Sequence, residues 1–164
     1  MEALLVKRAQ RGDTDAFIRL MEKHKLPLYK IAKSYLRNEE DIADVMQDTI
    51  LSAYEHIKEL RQVLYFKTWL TRILINHCND LLKQQRRFIE TDWTEESHPA
   101  PAPEDDRAFY ELLAELPEDM RLIFLLYYGE GFRTREIAQI LDMNENTVKS
   151  RLQRGRKQLK EAIS

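Results

Sequence analysis

Between Asn144 and Ser164 the chain sets out, at helical spacing, side chains that make hydrogen bonds and neutralise phosphates. With Val148 and Leu152 turned inward and about 100° of rotation per residue, Asn146, Ser150, Gln153 and Lys157 face outward, flanked by Lys149 and Arg154. Amides, hydroxyls and cations on one helical face are the chemistry that reads base edges and phosphates in a DNA major groove. Residues 144–164 hold six Lys/Arg against two Asp/Glu, so this segment is basic although the whole chain carries −2. Thr147 and Arg156 join the candidate set. Arg151 falls nearer the inner side, which suits a phosphate or intradomain contact better than base reading. A second basic stretch, 58–89, holds seven Lys/Arg against two Asp/Glu beside Tyr65, Phe66 and Trp69. Cations beside aromatics and a loop are what single-stranded DNA binding needs, namely phosphate attraction with surfaces that stack on or enclose an unpaired base.

The groups that could carry catalysis are thin. His24, His56, His77 and His98 are scattered, and the adjacent His77 and Cys78 lack the spacing of a zinc site. No phosphate loop, nucleophile elbow or paired-glycine motif is present. The chain is read as binding rather than catalysing, with no metal and no cofactor.

The elements that must position these residues are helices. From Thr134 to Lys160, Ile137, Ala138 and Leu141, then Met143, then Val148, Leu152 and Leu159 give a stripe at spacings of three, four and seven, broken by a short turn. This predicts a helix-turn-helix, with Thr134 and Asn144 capping the two helices. Upstream, the spacing predicts a short first helix, a second from Asp13 through about Lys25, and another opening at Pro27 with Leu28, Ile31, Ala32, Tyr35 and Leu36 inward and Asn38 as its stop. A longer helix runs from about Glu39 to Lys58, with Ile42, Val45, Met46, Ile50 and Ile57 inward and Asp44, Gln47, Asp48 and Ser52 outward. After a break at 58–65, a further helix carries Phe66, Trp69, Leu70, Ile73 and Leu81. Residues 91–105, with Pro99, Pro101 and Pro103 alternating with alanine, cannot be helical and read as a linker. Beyond it, Phe109, Leu112, Leu113 and Leu116 begin a second helical domain whose buried heart is Ile123 to Leu126.

With 164 residues, four glycines and no alternating strand pattern, the fold class is all-α, as two small domains, 1–90 and 106–164. The acidic middle, 91–116, has eight Asp/Glu against one Lys/Arg and separates two mildly basic ends, the asymmetry of a two-point nucleic-acid binder. No apolar run approaches the roughly 20 residues of a membrane span, and MEALLVKRAQ lacks a signal-peptide layout. A lone Cys78 suits a reducing compartment, so a cytoplasmic protein without its own membrane contact is expected.

Three stretches resemble one family. LDMNENTVKSRLQRGRKQL resembles the promoter-binding domain of bacterial RNA polymerase sigma factors of the extracytoplasmic-function group, with Asp142 where the family favours Gly. DVMQDTILSAY resembles the segment by which these factors dock on the clamp helices of the polymerase's largest subunit, with Ile50 in place of the usual Phe. The pattern of Phe66, Trp69, Leu70, Ile73, Asn76, Asp80, Lys83 and Arg86 resembles the domain that melts and reads the −10 element. The resemblance implies −35 contacts by Asn146, Thr147, Lys149, Ser150, Arg151, Gln153, Arg154 and Arg156. It implies −10 contacts by Arg61, Gln62, Tyr65, Asn76, Asp80, Lys83 and Arg86, and core-polymerase contacts by Asp44, Gln47, Asp48 and Thr49. The implied partners are core RNA polymerase, through its clamp helices and flap, promoter DNA, and an anti-sigma factor. A helix-turn-helix regulator that never docks on polymerase is the alternative; it needs neither the acidic Asp44–Thr49 face nor the FxxW helix. A small hydrolase or metal enzyme is a third, different class, which stoichiometric metal in the purified protein would favour.

Overall fold

The structure is a computed structural model, described here over residues 1–89 and 107–163, so the expected linker at 91–105 lies outside the described residues. The chain divides into two compact units, Met1–Pro99 and Ala100–Ser164. Among the described residues all regular structure is helical.

In the first unit, α1 (Glu2–Gln10) buries Val6 and Ala9. The chain then reverses through Gly12, whose φ of +96° disfavours any side chain. Asp13 caps α2 by accepting from the Ala16 N–H and pairs with Arg8, and together these contacts hold its carboxyl below the usual range. Helix α2 runs unbroken from Thr14 to Tyr35, correcting the expected division at Pro27. An interior proline costs roughly 3 kcal/mol through its missing N–H and its clash with the preceding turn. Opposing that cost, one stripe of Phe17, Leu20, Met21, His24, Leu28, Ile31 and Ala32 is buried on both sides of it, and each large apolar side chain contributes about 1.5–3 kcal/mol. Asn38 opens the next helix rather than closing the previous one, accepting from the Glu40 N–H.

Helix α3 (Glu39–His56) buries Ile42, Val45, Thr49 and Ala53, while Met46 and Ile50, expected inside, are half-buried. Two 3₁₀ turns, Ile57–Glu59 and Val63–Tyr65, lead into α4 (Phe66–Ile89). Its buried face is Phe66, Leu70, Leu74, Ile75 and Cys78, with Trp69, Ile73 and Leu81 only partly covered. Two polar ties fasten α3 to α4: Ser52 Oγ to His77 Nε2 at 2.9 Å, and Gln85 Nε2 donating to Asp41 Oδ2 at 2.7 Å. His24 bonds Glu2 and packs edge-on to Phe66, so it is a core residue and not a ligand.

In the second unit, α5 (Arg107–Ala114) precedes α6 (Glu118–Phe124), and α6 continues into a π-helical turn at Leu125–Gly129. The core is Leu113, Leu116, Met120, Ile123, Phe124, Leu125, Leu126 and Phe132 against Ile137, Ala138 and Ile140 of α7 (Thr134–Leu141) and Val148 and Leu152 of α8 (Glu145–Ile163). Ile140 takes the inner place expected for Leu141, which is half-buried. Arg133, not Thr134, is the N-cap of α7, its N–H donating to Glu136 Oε1 at 2.9 Å. The Thr134 hydroxyl instead donates to Glu145 Oε1 at 3.0 Å and ties α7 to α8. Asn144 caps α8 as expected, accepting from the Asn146 N–H at 2.8 Å. Asp142 sits left-handed between the helices at φ 52°, ψ 54°, a conformation aspartate tolerates better than most residues.

Candidate nucleic-acid and partner interfaces

The inward turn of Val148, Leu152 and Gly155 fixes the rotation of α8, and with it the face that α8 presents. Asn146, Lys149, Ser150, Gln153, Arg154 and Lys157 are all exposed, so the structure brings the expected base-reading residues onto one surface. Thr147 is half-buried at its edge, and Lys149 lies 3.7 Å from Glu145, an exposed pair that the polar phase weakens. Two members of the sequence-derived set turn toward their own domain. Arg151 Nε lies 3.6 Å from Asp119 Oδ2 of α6. Arg156 Nε donates to the Tyr128 hydroxyl at 2.7 Å, and its guanidinium lies 5.7 Å and 5.8 Å from the ring centres of Tyr127 and Tyr128. Sequence reasoning missed that Tyr128 partnership because the two residues are 28 positions apart.

On α4, Arg72, Asn76, Asp80 and Lys83 recur at spacings of four, four and three and are exposed, with exposed Arg86 one step round. Arg61 and Gln62 are exposed on the preceding loop and Tyr65 is half-buried at its end. The loop itself is not slack. Gln10 Nε2 of α1 donates to the Ile57 carbonyl at 2.9 Å and to the Leu60 carbonyl at 2.7 Å, and Tyr65 N–H closes on the Gln62 carbonyl at 3.0 Å. At its tip Leu64 is 91% exposed, a large apolar side chain that the protein leaves in water.

The opposite character appears on α3, where Asp44, Gln47 and Asp48 form an exposed polar stripe. Thr49 does not belong to it. It is fully buried and its hydroxyl donates to the Val45 carbonyl at 2.7 Å, so it cannot reach a partner. The 100° step from exposed Asp48 carries Thr49 onto the buried face. Leu51 is 60% exposed and lies three and four residues beyond Asp48 and Gln47 on the same stripe. That spacing was the signal available for it in the sequence.

A groove of about 660 Å³ opens in the second unit, walled by Phe109, Leu112, Phe124, Tyr128 and Leu159 with the cations Arg156 and Lys160. Among the described residues no three His, Cys, Asp or Glu side chains cluster as a metal site, and no helix is long and apolar enough to cross a membrane. Burial pushes the Cys78 thiol up to about 12, the reverse of what a nucleophile needs.

Residues 20–88 match the family model for sigma-70 region 2, and residues 106–159 the model for sigma-70 region 4. The chain is 33% identical over 137 residues to the RNA polymerase sigma factor SigV of Bacillus subtilis, covering 82% of each chain. It is 30% identical over 177 residues to the ECF RNA polymerase sigma-E factor of Haemophilus influenzae, covering 97% of this chain and 93% of that one. Among solved structures, the sigma factor RpoE of Bartonella quintana, in complex with the anti-sigma factor NepR, is similar with a TM-score of 0.74 at 25% identity, covering 90% of this chain and 96% of that one. Region-2 and region-4 matches in succession along the chain, with relatives matched over most of their length at this identity, leave one assignment: the chain belongs to the sigma-70 family of RNA polymerase sigma factors, in its extracytoplasmic-function group.

Proposed function

We propose that this protein directs core RNA polymerase to promoters, docking through α3, reading the −35 element with α8 and the −10 element with the 58–65 loop and α4. The observation that carries the proposal is the pairing, in one chain, of an exposed amide, hydroxyl and cation face on α8 with the exposed Asp44–Gln47–Asp48–Leu51 stripe on α3. A regulator that binds duplex DNA unaided has no use for that stripe. Carboxylates around an exposed leucine suit a basic, partly apolar helical partner, such as the clamp helices of the polymerase's largest subunit. The −35 contacts are assigned to Asn146, Thr147, Lys149, Ser150, Gln153 and Arg154, with Arg151 and Arg156 holding the helix in place. The −10 contacts are assigned to Arg61, Gln62, Tyr65, Asn76, Asp80, Lys83 and Arg86.

The chain itself performs no chemistry in this scheme; phosphodiester formation belongs to the polymerase. Its apolar groove in the second unit takes an apolar helix, the polymerase flap in the active complex. An anti-sigma factor, as in the complex of the Bartonella relative, is the proposed inhibitory partner, and the cytoplasm the place of action. Reversing Asp44 and Asp48 together to lysine tests the docking face: core polymerase should no longer co-purify while the circular-dichroism spectrum stays helical. Undiminished co-purification would return the protein to the class of ordinary helix-turn-helix regulators.

A further inference from the structure

We infer that Gln10 is a positioning residue for −10 selection: with its one side-chain amide, helix α1 fixes the origin of the loop that meets the unpaired base. The inference rests on the reading of the 58–65 loop as the −10 selector. Helix α1 lies before the segment that matches sigma-70 region 2, which begins at residue 20, so the matched segment does not include it.

Its attachments are specific at three points. At its start, Glu2 bonds His24 and lies 3.4 Å from Lys23, both on α2. Near its end, Arg8 pairs with Asp13 at 2.7 Å. On its inner side Val6 and Ala9 are buried. Helix α1 is thereby seated on α2, and Gln10, half-buried in its last turn, reaches across to residues 47 and 50 positions away.

Both hydrogens of the Gln10 amide are used, one on the Ile57 carbonyl and one on the Leu60 carbonyl. Ile57 also accepts from the Leu60 N–H at 3.2 Å, so the clamp closes the 3₁₀ turn from which the loop springs. From Arg61 to Leu64 the chain then has four residues before Tyr65 hands over to α4. A span that short inherits its direction from its ends. With Leu60 pinned and Tyr65 bonded to Gln62, the exposed Arg61, Gln62 and Leu64 are presented as a preformed surface rather than ordered only on binding.

The test uses the full chain with core polymerase. Gln10→Glu keeps length and shape, removes both donors and sets a carboxylate against two carbonyl oxygens; Gln10→Ala removes the donors without adding charge. A third protein, with residues 59–64 replaced by the loop of another family member, reports on the reading underneath. Hydrogen exchange over 57–65 should quicken about tenfold in both Gln10 variants, as expected for losing two modest bonds. Transcription selected from a randomised −10 library should show a broadened consensus at the positions that the loop exchange alters, while core co-purification and −35 preference stay as in the parent. An altered consensus after the loop exchange but an unaltered one in both Gln10 variants overturns the inference and leaves the loop reading intact. An unaltered consensus after the loop exchange overturns both. Loss of core binding and −35 preference in step with −10 selection would make Gln10 a general stabiliser and also overturn the inference. Gln10→Ala keeps the question answerable if the glutamate variant does not fold.

Discussion

Helix α8 is seated against α6 at Gly155, and Gly155→Ala measures how tightly. A Cβ built there would fall against Phe124 Cε2 and stand 2.6 Å from Cζ, inside any ordinary carbon contact. Phe124 is 2% exposed among the α6 core, so moving its ring aside, into the groove that it walls, would uncover it. Overpacking of this kind costs about 1–3 kcal/mol, and a contact this close to a buried ring belongs at the upper end. Against it, alanine gains about 1 kcal/mol over glycine inside a helix. The net loss is about 2 kcal/mol, which for a unit of this size lowers the midpoint by roughly 8–16 °C. Calorimetry on the full chain should show the transition of the second unit moved by that amount and that of the first unmoved. Because α8 must lift to make room, −35 binding should weaken for all sequences alike. Phe124→Leu, which vacates the clashing ring positions, should recover part of the loss in the double variant. An unchanged or raised midpoint in Gly155→Ala would refute the close seating and the rotation of α8 argued from it.

Alanine at Ser150, Gln153 or Arg154 should change which −35 bases are preferred, each by about 1–3 kcal/mol of discrimination in a binding-selection assay, whereas Arg151→Ala should lower the midpoint of the second unit and leave the preference alone. Burial raises the Glu2 carboxyl, but its bonds and charge pairing with His24 and Lys23 outweigh that and leave it below the ordinary glutamate value. A depressed folded-state value adds stability that is present above the unfolded value and lost as pH falls through the folded one. Glu2→Gln should therefore lower the urea midpoint near neutrality and flatten its fall between about pH 5 and pH 3. Cys78, buried and with its thiol pushed up to about 12, should resist iodoacetamide in the native protein and react once guanidinium unfolds the first unit.

Periodicity carried much of the fold. The stripes on α3, α4, α7 and α8 are legible because burial there follows the helical repeat. Pro27 misled because a local breaker was weighed without the apolar stripe that continues through it. The π-helical turn left no sign, since residues 122–128 are apolar on every side and any turn geometry fits them. On the surfaces, rotation placed Asn146, Ser150, Gln153 and Lys157 correctly outward. It was overridden by motif at Thr49, where resemblance named a contact on the buried side. Arg156 and Gln10 were beyond sequence reasoning, because their partners are set by tertiary packing across 28 and about 50 positions.

The π-helical turn at Leu125–Gly129 amounts to one residue more than an α-helix would spend on the same rise, its ring closed by the Glu130 N–H on the Leu125 carbonyl at 3.0 Å. Such a turn is an insertion that a helix has absorbed without moving its ends. Chain length is therefore negotiable here: a one-residue deletion can relax to α-helix, whereas in the middle of α7 it would turn the inward side chains on one side of the deletion by about 100° off the core. The negotiable residue is not idle, because the widened ring aims Tyr127 and Tyr128 together at Arg156. A homologue one residue shorter at this place would keep its core and its helix-turn-helix but lose the aromatic seat of that arginine, and with it one of the ties that hold the recognition helix at its angle.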